Sequence, residues 1–197
     1  MAEKLPDNPE LEPLTRSQVL IAMGVTAVVL LLVSKLWLHF GNVALLSLRW
    51  NRFDCLLGLG GGLLITILSS IIYRFWAAYR QSADFYLDIV LKPLVLPDLV
   101  WLGLLPGLSE ELLFRGVMLP ALGLDWNGLT ISSLCFGILH FSSPKQWAYV
   151  IWATIVGFML GYVTIETRNL LVPVLAHILT NLVSSYIWKL KQQSQAI

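Results

Sequence analysis

Three short stretches of the chain carry ionisable or amide side chains in otherwise apolar surroundings. They are Glu110-Glu111-Leu112-Leu113-Phe114-Arg115, Phe136-Gly137-Ile138-Leu139-His140 and His177-Ile178-Leu179-Thr180-Asn181. An acidic or basic side chain at the centre of a membrane helix costs about 2.5–3.5 kcal/mol on insertion scales, so such groups point to function. Helical spacing gives them a geometry. Glu111 and Arg115 are four residues apart with the acid first, the favourable order for a pair one turn apart. Arg115 is thereby expected to neutralise and orient Glu111, while Glu110 projects about 100° away around the same turn. His177 and Asn181 share one helix face, and Phe136 stands one turn before His140, where it can pack against the imidazole. Three helices then offer a carboxylate, an imidazole and an imidazole–carboxamide pair to a common centre.

That set of groups has a definite chemistry. A carboxylate and a neighbouring imidazole can share the task of taking a proton from water. An imidazole N–H and an Asn amide can donate to the oxyanion of a tetrahedral intermediate. Together they suit amide hydrolysis by activated water. No Ser or Cys nucleophile is required, and Ser109, Ser132, Ser133 and Cys135 lack the flanking patterns that would nominate them. Each group taken alone also has a bland reading: Glu111–Arg115 as a structural ion pair, His177 with Asn181 as interhelical hydrogen-bonding glue, His39 as a packing or interfacial residue. Five or six costly polar groups at helix-turn spacing in three successive segments are harder to explain as independent packing features.

The elements that must hold these residues are membrane helices. The chain of 197 residues is 57% hydrophobic and 13% charged, with a mean hydropathy of +0.74. Soluble domains carry roughly 45–50% apolar residues and about 25% charge. The predicted fold class is all-α, a polytopic membrane bundle of about six transmembrane helices. These are placed at Ser17 to Leu38, Cys55 to Tyr73, Leu99 to Leu122, Gly128 to Phe141, Trp147 to Ile165 and Leu170 to Trp188. Asp84 to Asp98 mixes charge with bulky apolar residues and either lies along the membrane surface or leads into the third span. Residues 1–16 read as a flexible soluble tail without the features of a secretory signal. Residues 17–93 hold two spans and an amphipathic connector, 94–188 the chemical core, and 189–197 a short tail.

A formal charge of +1 leaves no electrostatic footprint for nucleic acid. Cys55 and Cys135, both in apolar runs, exclude a disulfide framework. Gly58, Gly60, Gly61 and Gly62 lack the Lys and Ser/Thr of a phosphate loop; Gly58/Gly62 and Gly157/Gly161 instead have the small-xxx-small spacing of close helix packing. With six spans, Lys4, Arg16, Arg74, Arg80, Lys92, Lys145, Lys189 and Lys191 fall on one side, and Arg49, Arg52 and Arg168 on the other. That bias places both termini in the cytoplasm. Trp37, Trp50, Trp76, Trp126, Trp147 and Trp188 sit near the ends of apolar runs, as an interfacial belt requires.

The three polar stretches resemble the CAAX-protease and bacteriocin-processing (Abi, or type II CAAX prenyl endopeptidase) family of intramembrane proteases. Its pattern is Glu-Glu-x-x-x-Arg, then Phe-x-x-x-His, then His-x-x-x-Asn. Here it reads Glu110-Glu111…Arg115, Phe136…His140 and His177…Asn181, with the flanks SEELLFRG, FGILHF and LLVPVLAHILTN also similar. The resemblance covers roughly residues 94 to 188. It implies an endopeptidase in which Glu110 and His140 activate water and His177 with Asn181 forms the oxyanion site. Glu111 and Arg115 would support that constellation. In eukaryotic members the reaction removes the last three residues after a prenylated cysteine. The implied fold is a helical bundle whose cavity opens towards the cytoplasm and the lipid.

The expected partners are the lipid bilayer and a membrane-associated protein or peptide substrate, in the plasma membrane or an internal one such as the thylakoid. A metal-free, glutamate-dependent mechanism is favoured, because there is no His-Glu-x-x-His and Asn181 suits an oxyanion site better than a zinc ion. The alternative ligand set for a zinc ion is Glu110, His140 and His177. The competing functions are a non-catalytic membrane scaffold or chaperone that keeps the same core, and a small proton-coupled transporter, which no inverted repeat supports.

Overall fold

The computed structural model describes residues 14–195. Eight α-helices follow one another, with no strand among the described residues: α1 Arg16–Phe40, α2 Arg52–Phe75, α3 Ala77–Tyr86, α4 Leu99–Glu111, α5 Leu119–Leu122, α6 Trp126–Leu139, α7 Trp147–Thr167 and α8 Leu171–Gln195. The all-α class is as expected from the sequence. Local chemistry sets the boundaries. Thr15 and Gln18 form a reciprocal capping box at α1, and Asn51 accepts from the Phe53 N–H at the start of α2. Asp125 accepts from both the Asn127 and Gly128 N–H groups at 2.9 Å, which starts α6. Arg168 ends α7 in the left-handed region at φ 50°.

Four helices among the described residues are long and apolar enough to cross a bilayer: Arg16–Phe40, Arg52–Phe75, Pro144–Thr167 and Leu171–Gln192. Ile21, Val25, Val28 and Leu32 make an exposed apolar stripe along α1, as a lipid-facing helix requires. The chain is an integral membrane protein. Six predicted spans become four full-length helices, or five if one bent pair is counted. The third predicted span is the second limb of a pair, Ala77–Leu91 and Leu96–Leu122, bent by 107°. The fourth is α6, whose 14 residues extend about 21 Å against a hydrocarbon thickness of about 30 Å. Both departures fall on the segments that carry Glu110, Glu111 and His140. The connector Asp84 to Asp98 does lead into the third span, through a π-helical stretch Leu87–Leu91 and a 3-10 turn Leu96–Asp98. The predicted tail 1–16 lies mostly outside the described residues, and Arg16 is already helical. At the other end α8 continues past Trp188 to Gln195.

Small residues bring α8 into contact with its neighbours. A Cβ on Gly58 or Gly62 would stand 2.8 Å from the Val172 carbonyl or 2.7 Å from that of Ala176, so α2 packs backbone to backbone on α8. On α7, Gly157 admits the Ser133 backbone of α6, and Gly161 makes room for the Leu129 side chain. A third pair, Gly103 and Gly107, seats α4 on Leu182 and Ile178 of α8. Between lipid-solvated helices there is no hydrophobic drive to associate, and close van der Waals approach supplies it instead. The faces used by α2 and α4 leave His177 and Asn181 turned away from both seams.

The two ends of the bundle are tied differently. At one end Arg16 forms a bidentate pair with Asp98, both contacts at 2.7 Å, and Lys189 donates to the Lys92 carbonyl at 3.1 Å. At the other, the buried Asn169 accepts from the Arg49 N–H at 2.9 Å and the Leu171 N–H at 3.2 Å. Its amide donates to the Arg49 carbonyl at 2.7 Å and to Asp54 Oδ2 at 2.8 Å. One side chain thus joins the α1–α2 loop, the start of α2 and the α7–α8 turn. Of the Lys/Arg residues grouped from the sequence, Arg16, Lys92 and Lys189 meet at the first end and Arg49 and Arg168 at the second, while Lys4 lies outside the described residues.

The glycine seams give a direct test. Gly62→Ala is expected to lower stability in detergent micelles by about 1–3 kcal/mol, because the new methyl meets backbone that cannot yield. Gly60→Ala on the same helix meets nothing within 4 Å and gains up to about 1 kcal/mol of helix propensity. Thermal unfolding of the two variants side by side measures the difference.

Candidate active site

The last turn of α4 carries Glu110 and Glu111, and the chain then passes into a π-helical stretch, Leu112–Met118, before α5. Single turns of this kind are frequent at functional sites because they re-aim side chains and free carbonyls. Here the Leu119 N–H reaches back five residues to Phe114, and the carbonyls of Phe114 and Gly116 take outside donors. These are Ser132 Oγ at 2.9 Å and the Leu46 N–H at 2.9 Å, which dock α6 and the α1–α2 loop on this stretch.

Glu111 is fully buried and joins two helices. Its Oε1 accepts from Arg115 Nη1 at 2.8 Å and from His177 Nδ1 at 2.7 Å. Arg115, with 1% of its side chain exposed, also donates through Nη2 to the Gly157 carbonyl at 3.0 Å. Its guanidinium carbon lies 4.3 Å from the centre of the Phe136 ring, close enough for a cation–π contact. The Glu111–Arg115 pairing is therefore as expected. The Glu111–His177 bond is new, joining residues 66 apart in sequence that linear spacing cannot connect. A carboxylate oxygen only accepts, so His177 Nδ1 holds a hydrogen and Nε2 is the nitrogen left for other partners.

His140 caps the C-terminus of α6. Its Nδ1 donates to the Phe136 carbonyl at 2.9 Å, which turns Nε2 outward, 3.9 Å from Glu110 Oε2. That carboxylate oxygen is buried and has no hydrogen-bond partner, an arrangement that normally carries a cost. Phe136 packs as expected, its ring 4.9 Å from His140 and 5.9 Å from His177. Asn181, one turn beyond His177 on α8, lines a cavity of about 300 Å³ together with His140, His177 and Phe136. The two glutamates do not line that cavity themselves; they meet it through the two imidazoles. The structure thus brings Glu110 to His140 and Glu111 to Arg115 and His177, and it opens both imidazoles and Asn181 to one space.

A zinc ion needs three or four donor atoms within about 2.0–2.3 Å. Among the described residues no three His, Cys, Asp or Glu side chains are grouped to hold an ion, so Glu110, His140 and His177 as placed do not form a ligand set. His39 lies outside the site, exposed in the last turn of α1 against Phe40.

The buried pair makes a prediction that does not depend on any activity. Arg115→Ala leaves Glu111 with one partner in a dry interior and is expected to cost about 3–5 kcal/mol. Arg115→Lys should recover only part of this, since one ammonium lacks the planar fork that reaches Glu111 and Gly157 together. Unfolding midpoints in detergent read both effects.

Comparison with known proteins converges on the same stretch. The family model described as type II CAAX prenyl endopeptidase Rce1-like matches residues 92–183, which contain Glu110, Glu111, Arg115, Phe136, His140, His177 and Asn181. Uncharacterized protein YpbD of Bacillus subtilis is 39% identical over 88 residues, 45% of this chain and 44% of that protein. Uncharacterized protein YyaK of the same organism is 37% identical over 82 residues, 38% of this chain and 27% of that protein. The chain thus spans less than half the length of the curated relatives it matches. No solved structure matches significantly. The polar cluster and the family match occupy one continuous segment: residues 92–183 are similar to the type II CAAX prenyl endopeptidase Rce1-like family.

Proposed function

We propose that this protein is an intramembrane endopeptidase of the glutamate type, hydrolysing peptide bonds in membrane-associated or lipid-modified proteins or peptides. The observation that carries the reading is the facing pair of Glu110 Oε2 and His140 Nε2, 3.9 Å apart, beside a cavity shared with His177 and Asn181. Because Nδ1 of His140 is committed to the Phe136 carbonyl, neutral His140 offers a lone pair at Nε2. A water oxygen can lie about 2.8 Å from both groups at once and give one hydrogen to each. Its own lone pair is then directed at a substrate carbonyl.

Attack forms the O–C bond and moves the carbonyl electron pair onto oxygen. The water proton passes to the Glu110–His140 pair. The oxyanion receives hydrogen bonds from His177 Nε2–H and the Asn181 amide. Since His177 Nδ1 already donates to Glu111, donation from Nε2 makes His177 an imidazolium. Two carboxylates, Glu110 and Glu111, then balance two cations, Arg115 and His177, so the buried cluster is neutral overall. Collapse of the intermediate breaks the C–N bond, and the stored proton goes to the departing amine.

The cavity supports entry from one end. Its lining runs along α8 from His177 to Lys191, fourteen residues or about 21 Å, towards the end that carries Arg16, Lys92 and Lys189. The positive-inside bias assigns that end, and both termini, to the cytoplasm.

Quantitative proteomics of membrane peptides, comparing wild type with Glu110→Gln, tests the reading. The variant should accumulate in the membrane but lose cleavage by about 10²–10⁴-fold, the usual contribution of a general base. His177→Ala and Asn181→Ala should each cost about 10²–10³-fold. A chelator should leave the wild type active. A fully active Glu110→Gln protein overturns the proposal, and loss of activity with chelator replaces the glutamate mechanism by a metal-dependent one.

A further inference from the structure

We propose that Tyr86, from the half of the chain outside the family match, is a positioning residue for His140. The proposal rests on the reading that His140 Nε2 acts together with Glu110. His140 ends α6, and the last carbonyls of a helix have no partner within it. The terminus is tightened from inside by 3-10-type bonds from the His140 N–H to Gly137, at 3.0 Å, and from the Phe141 N–H to Ile138, at 2.9 Å. From outside, the His140 carbonyl accepts from the Tyr86 hydroxyl, which also bonds Ser142 Oγ at 2.9 Å. A phenol has one hydrogen, so Ser142 is the donor in the second bond. Tyr86 therefore grips the chain on both sides of Phe141, where the helix gives way to a loop.

The ring of Tyr86 reinforces the grip. It lies 4.3 Å from the Tyr149 ring, which in turn stands 5.9 Å from the His140 imidazole. Tyr149 is stacked at 9° on Tyr79, and Tyr79 and Ala83 of α3 are buried against Ala148 and Trp152 of α7. Helix α3 is thus a brace along residues 140–152, touching the loop again where Ser82 donates to the Lys145 carbonyl at 3.4 Å. The His140 backbone and ring are held by Tyr86, Tyr149 and Phe136, while its Nε2 is left to face Glu110. Nothing else among the described hydrogen bonds holds the His140 carbonyl.

Loss of the Tyr86 hydroxyl frees that carbonyl and lets the last turn fray. The turn contains the Nδ1–Phe136 bond that aims Nε2, so the Glu110–His140 register is lost with it. Tyr86→Phe keeps the stack on Tyr149 and removes only the hydroxyl. The 197-residue chain has three histidines, so histidine labelled with carbon-13 at Cε1 gives a spectrum assignable with a His140→Gln variant. In Tyr86→Phe the His140 resonance should move and broaden while that of His177 stays in place, which also reports an intact fold. On an internally quenched farnesylated CAAX peptide in mixed micelles, kcat should fall about tenfold, the equivalent of one hydrogen bond, with KM within twofold. Ser142→Ala, which removes the second anchor and keeps the phenol, should move the same resonance less. Ser82→Ala, which removes only the 3.4 Å contact to the Lys145 carbonyl, should move the resonance and kcat less than Tyr86→Phe does.

An unmoved His140 resonance in Tyr86→Phe overturns the proposal, as does an equal loss of kcat in Ser82→Ala. If the wild type does not cleave the peptide, the fault lies with the substrate or the protease reading. The resonance shift then still decides whether Tyr86 holds His140.

Discussion

A carboxylate taken wholly out of water is stable only where cations or donors meet it, and Glu111 meets two. Arg115 approaches from one turn ahead on its own chain, and His177 from α8. Arg115 extends the linkage to the Gly157 carbonyl in α7 and to the Phe136 ring in α6. Four helical segments are thereby fixed around a single oxygen atom. The hydrogen bond to Glu111 fixes which nitrogen of His177 is turned towards the cavity, and the ring of Phe136 spaces His177 from His140. If Glu111 were displaced, the two imidazoles would lose their common reference.

The glycine seams make that arrangement possible. His177 can reach Glu111 only if α8 lies close to α4, and Gly103 and Gly107 remove the side chains that would hold the helices apart. Gly58 and Gly62 perform the same service on a neighbouring face of α8. Gly157 has two duties, since the bare backbone that admits Ser133 also presents its carbonyl to Arg115. Packing and polar chemistry are therefore not separable layers in this bundle.

What could be read from the sequence was what one helix settles by itself. Glu111 with Arg115, Phe136 with His140, and the glycine pairs of α2 and α7 are all four apart, and a 3.6-residue period makes such pairs neighbours whatever the tertiary structure. The Gly103/Gly107 pair obeys the same rule but lies beside Pro106 in the segment least like a plain span. Contacts between distant parts of the chain left no such trace. Glu111–His177, Arg16–Asp98 and the bonds of Asn169 depend on how helices are arranged, and Tyr86 sits in a connector whose periodicity is weak. The span count exceeded the four full-length helices because a hydropathy window treats each apolar run as a full crossing. The run bearing the glutamates is one limb of a bent pair and that bearing His140 is short, and Glu110, Glu111, Arg115 and His177 are buried within protein.

Asn169 has a consequence for how the bundle comes apart. By stitching the α1–α2 loop to the α7–α8 turn it fastens the bundle at the end opposite Lys191. Removing that one amide would undo the rivet on all sides together, so the loop, the head of α2 and the turn should loosen as a unit.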